Sequence, residues 1–272
     1  MTSNAGNRSA LGPLGVSTTA LLFHHVEERA TSPRDRLDVT RDQLRAHLEI
    51  LTRCKGLFCC REDEHAVPRP VLITFDDGRA SAWTAADLLE SAGWRGYFFI
   101  PVAYLNDAAH LSRRQVAQLA ARGHVIGSHS MSHPTKMSRL STAQLRSEWK
   151  QSADELAHIT GQRIRCASVP GGDFSDRVAT TAVEAGIEQL FTSTPTFRVR
   201  STADCLVIGR FLVTRSSSPT SVLALARRDP LAQAFARATW SFRQSAKRLV
   251  GTADPSLPVA AKPAISLSDS RV

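Results

Sequence analysis

The sequence predicts an α/β fold in which parallel strands alternate with helices. Short apolar runs recur along the chain and are separated by longer polar segments; they lie at residues 21–26, 71–75, 96–100, 124–128, 165–169, 189–193 and 206–214. Parallel strands need crossovers that return over the sheet, so this alternation favours either a layered sheet or a barrel. The chain has 272 residues, 42% of them hydrophobic, which suits a single large domain of this class.

Segments with the spacing of amphipathic helices lie between these runs. They cover residues 40–51, 83–92, 112–121 and 141–160. Thr40 and Gln43 have capping-box spacing at the start of the first segment. Ser141 and Gly161 flank the last segment and are expected to cap that helix at its two ends. The runs and helices together assign residues 20–218 to one α/β domain.

Both ends of the chain differ from this domain in composition. Residues 1–19 are polar and rich in Gly, Ser and Asn, which predicts a flexible N-terminus. Residues 219–250 hold two proline-initiated helical segments with basic side chains, and residues 251–272 are rich in Pro, Ala and Ser. We interpret the former as a basic helical extension and the latter as a disordered tail.

The positive charge is concentrated in the C-terminal third of the chain. The net charge is +9, and residues 196–272 carry 12 Lys and Arg against 4 Asp and Glu. No nucleic-acid-binding motif accompanies this charge, so a nucleic-acid partner is not expected. The basic helix suits peripheral contact with a membrane surface or an anionic glycan carrier. The alternative is a helix packed on the domain with its basic residues in water, in which the near-heptad residues are Leu231, Phe235, Ala238, Phe242 and Leu249.

The sequence shows neither a secretory signal nor a membrane span. No window approaches the roughly 18 uncharged apolar residues of a spanning helix, and the N-terminal segment lacks the apolar middle of a signal peptide. We therefore expect a cytoplasmic protein, or one peripheral to the inner face of the membrane.

The five cysteines have no paired spacing, which argues against a disulfide framework and a cysteine zinc site. The sequence does not indicate an oligomeric state.

Two adjacent carboxylates end the predicted strand at residues 71–75. Asp76 and Asp77 follow it directly, and Gly78 permits a sharp turn out of the strand. Consecutive residues that leave a strand point in different directions, so the two carboxylates can take different roles at one site. An acidic pair that caps the next helix is the alternative interpretation of this motif alone.

Two histidines four residues apart end the predicted strand at residues 124–128. His129 and His133 can approach each other across a tight loop, and two imidazoles at this separation can bind a divalent cation. A carboxylate would complete a facial set of two histidines and one aspartate. Solvated histidine pairs are common, so the prediction depends on both polar clusters lying at strand ends, where α/β folds collect their catalytic groups.

A glycine-rich loop follows the predicted strand at residues 165–169. It contains Pro170, Gly171 and Gly172. Backbone amides near Gly171 could face a developing oxyanion, because glycine places no side chain in the way. An ordinary loop that leads into the next helix is the simpler interpretation of this segment by itself.

Taken together, the three motifs resemble those of the polysaccharide deacetylase family. Residues 74–78, 129–134 and 170–172 stand in the order and spacing of its first three motifs, and the match extends over residues 21–215. The resemblance implies a distorted (β/α) barrel. It also implies the metal-dependent removal of N-acetyl groups from amino sugars in glycans.

The resemblance gives each motif residue a role by position. Asp76 would be the general base on the attacking water. A divalent metal, usually zinc, would be bound by three residues: Asp77, His129 and His133. The backbone N–H of Gly171 would help to hold the oxyanion, and Pro170 and Gly172 would contact the substrate.

The chain departs from the family pattern in three places. Ser168 stands where the family has an arginine, and Gly171 stands where it has an aromatic residue. No histidine follows His158, so the C-terminal histidine that commonly serves as the general acid is absent. The predicted base therefore lacks its usual cation, and the leaving amine lacks its usual proton donor.

Residues elsewhere in the chain can replace these missing groups. Phe23-His24-His25-Val26 is similar to a segment of exopolysaccharide deacetylases, a subgroup with permuted motif order in which an N-terminal histidine is the acid. His24 is the aligned position, and His25 would pack against it or support it. Arg210 resembles an arginine of the same subgroup and would keep Asp76 ionised. A buried structural histidine and a plain surface arginine are the alternatives.

The sequence therefore predicts a hydrolase that acts on an N-acylated amino sugar of a polysaccharide, an oligosaccharide or a lipid-linked glycan. The same base and metal could open another linear or cyclic amide, which is a second hypothesis. A third is a catalytically silent glycan-binding protein, which the altered third motif and the missing histidine would allow. The complete ligand set favours the enzyme.

Overall fold

The described residues of this computed structural model, 17–28, 37–54, 71–202 and 204–249, form alternating strands and helices. The strands are β1 (Thr19–Phe23), β2 (Val26–Glu27), β3 (Val39–Thr40), β4 (Val71–Phe75), β5 (Tyr97–Ile100), β6 (Val125–Ser128), β7 (Cys166–Ser168), β8 (Gln189–Phe191), β9 (Arg200–Thr202), β10 (Cys205–Ile208) and β11 (Phe211–Leu212). The helices are α1 (Arg41–Arg53), α2 (Ala82–Ser91), α3 (Arg113–Ala121), α4 (Thr142–Thr160), α5 (Asp176–Glu184), α6 (Pro219–Ala226) and α7 (Pro230–Leu249).

Most of the described strands belong to one mixed sheet. Its order is β11-β1-β4-β5-β6-β7-β8-β10-β9, while β2 and β3 pair separately. The neighbours from β11 to β10 are parallel, and β9 runs antiparallel to β10 at the edge. The predicted α/β class is confirmed. The parallel strands bring their carboxyl ends to the same edge of the sheet, where such folds place their sites.

The sheet curls until its two ends approach each other. Strands β10 and β11 are separated in the chain only by Gly209 and Arg210, yet they lie near opposite ends of the strand order. A flat sheet could not bring these strands so close, because neighbouring strands are about 4.8 Å apart. The result is a curled half-barrel with helices, which confirms the barrel-type fold that the family resemblance implied.

The prediction of one continuous strand over residues 206–214 is wrong. Strand β10 ends at Ile208 and β11 begins at Phe211. A Cβ atom on Gly209 would lie 2.3 Å from the carbonyl oxygen of Thr194 and 2.5 Å from Cγ2 of Thr196, so only glycine fits here. At this close approach the chain passes from β10, which pairs with β8, to β11, which pairs with β1. Arg210 consequently lies where the two ends of the sheet meet.

The predicted strand at residues 21–26 is also divided. Strand β1 pairs with β4, whereas β2 pairs with β3 outside the main sheet. His24 and His25 fill the gap between β1 and β2, directly after the carboxyl end of β1. The sequence did not predict β9, since its residues are polar and mostly exposed.

The predicted helix caps are confirmed. Thr40 Oγ1 accepts a hydrogen bond from the N–H of Gln43 at 3.2 Å, and the Gln43 side chain accepts one from the N–H of Thr40 at 3.0 Å. Ser141 starts α4 with a second capping box, and Gly161 ends the same helix with a left-handed φ of 68°. These caps satisfy backbone groups that the helix ends leave unpaired.

Stacked aromatic side chains support the strand ends that carry the site. Phe23 and Phe75 stack with ring centroids 5.3 Å apart, and Phe75 and Phe98 stack at 5.1 Å. All three rings are buried. Phe23 precedes His24 and Phe75 precedes Asp76, so packed rings fix the backbone where the predicted catalytic groups begin.

Helix α7 packs on the domain through a face that the sequence did not predict. Leu231, Phe235 and Phe242, which we call the apolar stripe, are 76–80% exposed. The half-buried face instead carries Ala236 and Trp240, of which Ala236 contacts the core. The interpretation that the near-heptad residues pack inward is therefore wrong for Leu231, Phe235 and Phe242. Membrane contact of this helix stays a prediction.

The ends of the chain lie partly outside the described residues. Of the predicted flexible N-terminus, residues 1–16 are not described, whereas Thr18 and Thr19 are buried next to the sheet. The predicted tail at residues 251–272 also lies outside the described part. Among the helices described, none is both long enough and apolar enough to cross a membrane.

Candidate active site

The carboxyl ends of the parallel strands surround a cavity of about 490 Å³. Its lining includes residues that follow β1, β4, β6 and β7, namely His24, Asp76, Asp77, His129, His133, Gly171 and Gly172. Arg210 and several residues of α7 also line it. Pro170 is buried and is not among the lining residues, so its predicted contact with substrate has no geometric support. The other predicted site residues share one cavity.

Asp77, His129 and His133 form a three-ligand cluster. Oδ1 of Asp77 is 3.4 Å from Nε2 of His129 and 3.4 Å from Nε2 of His133. The three candidate ligand atoms all lie within 4.8 Å of one another. Two ligands of a tetrahedral zinc ion, each at about 2.0–2.1 Å, stand about 3.4 Å apart, so these side chains fit a metal site. Imidazole and carboxylate are also the donors that catalytic zinc takes.

The hydrogen bond of His129 orients its ring towards this cluster. Nδ1 of His129 donates to the carbonyl oxygen of Ser168 at 2.9 Å, since a carbonyl can only accept. In the neutral imidazole, Nε2 then keeps its lone pair, and it is Nε2 that faces Asp77. A second hydrogen bond of this kind is typical of histidines that bind metals.

Glu148 of α4 holds the loop that joins the two histidines. Its carboxylate accepts hydrogen bonds from the N–H of Met131 at 2.9 Å and from the N–H of Ser132 at 2.8 Å. It also accepts one from the Ser132 hydroxyl at 2.5 Å. The loop is thereby tied to a long helix, which fixes the direction from which His133 approaches His129.

Left-handed backbone conformations occur at non-glycine residues of this site. The φ angles of Asp77, Ser130 and His133 are 67°, 65° and 58°. Such values are uncommon outside glycine, and residues that hold them tend to cluster at functional sites. The turns that they produce bring the two histidines and Asp77 to one point. Nothing in the sequence indicated these conformations, because none of the three residues is glycine.

Arg210 binds Asp76 through both nitrogens of its guanidinium group. Nη1 donates to Oδ1 at 2.7 Å, and Nη2 donates to Oδ2 at 2.7 Å. The Ser168 hydroxyl donates to Oδ2 of Asp76 at 3.1 Å and accepts from Nη2 of Arg210 at 2.7 Å. Arg210 is 1% exposed, so its interpretation as a surface charge is wrong. The guanidinium of Arg210, which lies between β10 and β11, thus contacts Ser168, the position where the family has its arginine.

This pairing keeps Asp76 ionised inside the protein. Burial by itself would raise the pKa of Asp76, but the charges of Arg210 and His129 and the hydrogen bonds from Arg210 outweigh that effect and lower it. Burial would also raise the pKa of Asp77, but hydrogen bonds with His129 and His133 outweigh this effect and hold the pKa well below its ordinary value. Both carboxylates are therefore negatively charged at neutral pH.

The third-motif loop forms a tight turn at the edge of the cavity. Gly171 and Gly172 have φ angles of 63° and 69°, which side chains adopt only with strain. A Cβ atom on Gly172 would lie 1.9 Å from Oγ of Ser193, and one on Gly171 would lie 3.1 Å from the carbonyl oxygen of Thr135. The loop therefore depends on glycine, and its backbone reaches the cavity without side chains in between.

The structure separates His24 from His25. His24 lines the cavity, and its charge contributes to the lowered pKa of both Asp76 and Asp77, so the ring lies close to them. Nδ1 of His24 is buried and has no hydrogen-bond partner among the described residues. His25 does not line the cavity, and its Nδ1 lies 3.6 Å from Asp38.

Several lining residues were not predicted from the sequence. The ring of Tyr104 lies beside the metal cluster, with its centroid 6.0 Å from that of His133. Trp240 of α7 donates from Nε1 to Oγ of Ser193 at 3.5 Å, next to the third-motif loop. Neither residue belongs to a motif, and both reach the site through tertiary packing. Spacing along the chain therefore gave no signal for them.

The fold and the site together define a curled (β/α) half-barrel with a candidate Asp-His-His metal centre at its strand ends. Residues 63–190 match the family model described as polysaccharide deacetylase. The chain is 36% identical over 126 residues to the chitooligosaccharide deacetylase of Sinorhizobium fredii, an alignment that covers 43% of this chain and 54% of that protein. Residues 63–190 are thus similar to the polysaccharide deacetylase family.

Solved structures of low sequence identity share the fold. A polysaccharide deacetylase from Bacillus cereus aligns with a TM-score of 0.68 at 17% identity, over 77% of this chain and 69% of that one. The Streptococcus pyogenes deacetylase PplD, solved with acetate, aligns with a TM-score of 0.65 at 19% identity, over 78% of this chain and 98% of that one.

IcaB from Ammonifex degensii aligns with a TM-score of 0.61 at 19% identity, over 82% of this chain and 98% of that one.

Another curated relative, an uncharacterized protein of Geobacillus stearothermophilus, is 30% identical over 128 residues, which is 46% of each chain. The chain thus spans about half the length of these two curated relatives, from S. fredii and G. stearothermophilus.

Proposed function

We propose that this protein is a metal-dependent deacetylase that removes N-acetyl groups from amino sugars of a glycan. The observation that carries the proposal is the convergence of Asp77, His129 and His133 at distances suited to one metal ion. Asp76, the neighbour of Asp77, places Oδ2 3.9 Å from Nε2 of His129, so a second carboxylate stands directly beside the ligand cluster. Ligands and a separate base at one cavity are the parts that amide hydrolysis needs.

The residues of the site divide the chemistry of amide hydrolysis between them. A zinc ion held by the three ligands would polarise the amide carbonyl and lower the pKa of water. Asp76 would accept the proton of the attacking water, because Arg210 keeps its carboxylate ionised at neutral pH. The backbone N–H of Gly171 would donate to the oxyanion, since its loop reaches the cavity without a side chain.

His24 would supply the proton that the departing amine needs. It lines the cavity near both aspartates, and among the described residues Nδ1 has no hydrogen-bond partner to restrict it. We expect His24→Ala to lower kcat for acetate release by about 100- to 10,000-fold, the range for a general acid. Metal content should stay unchanged, which elemental analysis of the purified variant would show.

His25→Ala is the matched control, because His25 follows in the chain but lies outside the cavity. It should keep turnover close to that of the unmodified protein. Near-normal turnover of His24→Ala with its metal in place would assign the acid to another group.

The proposed reaction can be tested by removing and restoring the metal. Acetate release from N-acetylated amino-sugar oligomers should be lost after dialysis against a chelator, because all three ligands would then lack their ion. Adding Zn²⁺ should restore it. Elemental analysis must confirm that the metal was removed, and undiminished turnover of metal-free protein would contradict the proposal.

Two alternatives keep this fold. The same base and ligands could open a linear or cyclic amide outside sugars, and a screen that finds turnover only of such amides would establish that function. A glycan-binding protein without catalysis would bind N-acetylated sugars without releasing acetate. The buried Arg210–Asp76 pair argues against this second alternative. A protein that only binds glycans does not need an ionised carboxylate beside three metal ligands.

A further inference from the structure

The cavity carries more positive charge than its own carboxylates balance. Three arginines line it, Arg79, Arg210 and Arg243, whereas its lining includes only two carboxylates, those of Asp76 and Asp77. Asp76 is bound by Arg210, and Asp77 faces the two histidines. Two guanidinium groups therefore remain without a counterion from the lining.

Arg79 and Arg243 find no partner in the described part of the chain either. Neither side chain takes part in a hydrogen bond or an ion pair with a residue that the structure describes. Several arginines on the surface behave differently. Arg122 and Arg146, for example, each bind a carboxylate at 2.5–2.7 Å. The charges of Arg79 and Arg243 are thus available to a ligand of the cavity.

The two arginines lie on different parts of the cavity wall. Arg79 directly follows the Asp76-Asp77-Gly78 motif, and its charge adds to burial in lowering the pKa of His110, so it stands near the metal cluster. Arg243 lies on α7, three residues after Trp240, on the same half-buried face. Both guanidinium groups therefore belong to residues that a ligand in the cavity can contact.

Arginines in a partly enclosed cavity attract anions, and the planar guanidinium matches phosphate and carboxylate in geometry. A neutral amino-sugar oligomer would leave both charges facing only water. We propose that this cavity binds amino-sugar substrates that carry a phosphate or carboxylate group, and that Arg79 and Arg243 bind that group. This inference deepens the proposed deacetylase function. The deacetylation of such a substrate rests on that function, whereas the binding of the anionic group does not.

Binding can be measured without turnover by using sugars that lack an N-acetyl group. Glucose 1-phosphate, glucuronate and glucose would be titrated into the metal-loaded protein and followed by NMR. We expect at least one anionic sugar to bind about 10- to 100-fold more tightly than glucose, the factor for one or two charge-assisted hydrogen bonds. A preference for phosphate over carboxylate, or the reverse, identifies the group, and competition by inorganic phosphate shows whether the anion alone suffices.

Charge reversal would then assign the contact. Arg243→Glu or Arg79→Glu should abolish the preference for the anionic sugar while leaving the binding of glucose unchanged. Arg237→Glu is the matched control, because Arg237 lies on the exposed face of the same helix and does not line the cavity. Equal binding of glucose and both anionic sugars would overturn the proposal. So would a loss in Arg237→Glu as large as in the other variants.

Turnover separates this proposal from the function on which it rests. N-acetylglucosamine 1-phosphate should be deacetylated with a higher kcat/KM than N-acetylglucosamine, and the charge reversals should remove that difference. Arginine-dependent binding without acetate release from either sugar would support the anion site and contradict the deacetylase. Deacetylation of N-acetylglucosamine combined with no preference for anionic sugars would support the deacetylase and overturn the anion site.

Discussion

Replacement of Asp76 by Asn is expected to lower kcat for acetate release by about 100- to 10,000-fold, because the amide cannot accept the proton of the attacking water. Asn keeps the size of the side chain, so the neighbouring ligands Asp77, His129 and His133 should still hold their metal. Acetate release and metal content, measured on the same preparation, would separate the loss of a base from the loss of a ligand.

Asp38→Asn is the matched control for this experiment. Asp38 is also a buried aspartate near a histidine, His25, but it does not line the cavity. The control should keep the normal rate. If Asp76→Asn released acetate within a few-fold of the normal rate and kept its metal, Asp76 would not be the base.

Replacement of Arg210 by Met is expected to destabilise the fold by about 3–5 kcal/mol, the cost of leaving a buried charge without its partner. The Asp76 carboxylate is 5% exposed, and among the described residues the Ser168 hydroxyl would be its remaining side-chain hydrogen-bond donor. Arg210 also donates to the carbonyl oxygen of Thr192 at 3.1 Å and to the Thr74 hydroxyl at 3.2 Å, and these acceptors would lose a donor. Urea denaturation followed by circular dichroism would measure the free energy of unfolding.

An exposed ion pair provides the contrast for the stability measurement. Arg146 binds Glu184 at the surface, and Arg146→Met should leave the urea concentration at which the protein unfolds nearly unchanged. Substituting both members of the buried pair, Arg210→Met with Asp76→Asn, should recover part of the loss, because no unpaired charge then remains. If Arg210→Met unfolded at the same urea concentration as the unmodified protein, the buried pair would not support the fold.

Arg210→Lys tests the effect on the base without removing the charge. Lysine keeps one positive charge but lacks the planar fork that binds both carboxylate oxygens, so the pKa of Asp76 should rise towards its ordinary value. A higher pKa means that the base becomes protonated at a higher pH. The acid limb of the profile of kcat against pH should therefore move to higher pH. A limb in the same place would mean that Arg210 does not set the ionisation of Asp76.

The same pair makes the stability of the fold depend on pH. The pKa of Asp76 in the folded state lies below its ordinary value, so its ionisation stabilises the protein above the unfolded-state pKa. That stabilisation is lost as the pH falls through the folded-state pKa. In Arg210→Lys the two pKa values lie closer together, and less stability should be lost on acidification.

Much of the candidate site could be predicted because its motifs stand directly at strand ends. The apolar run before Asp76 and the run before His129 predicted two strands, and parallel strands end on the same side of a sheet. This shared edge of the sheet is sufficient reason to expect Asp77 near His129. The roles of these residues, in contrast, came from the family resemblance and stay predictions.

Residues that depend on close packing could not be predicted in the same way. The apolar run at residues 206–214 reads as one strand, and only the contact between Gly209 and Thr194 divides it. Glu148 reaches the histidine loop from the middle of a helix, where a glutamate is expected to be solvated. The hydrophobicity of the apolar stripe of α7 predicted its burial, yet the face that carries Ala236 and Trp240 packs on the domain instead.

The junction at Gly209 and Arg210 links completion of the fold to completion of the site. The same two residues that carry the chain from one end of the sheet to the other deliver the cation of Asp76. During synthesis, the first 200 residues leave the ribosome with both aspartates and all three proposed metal ligands, but without this guanidinium. Under the proposed function, a nascent chain is therefore expected to remain inactive until β11 has docked.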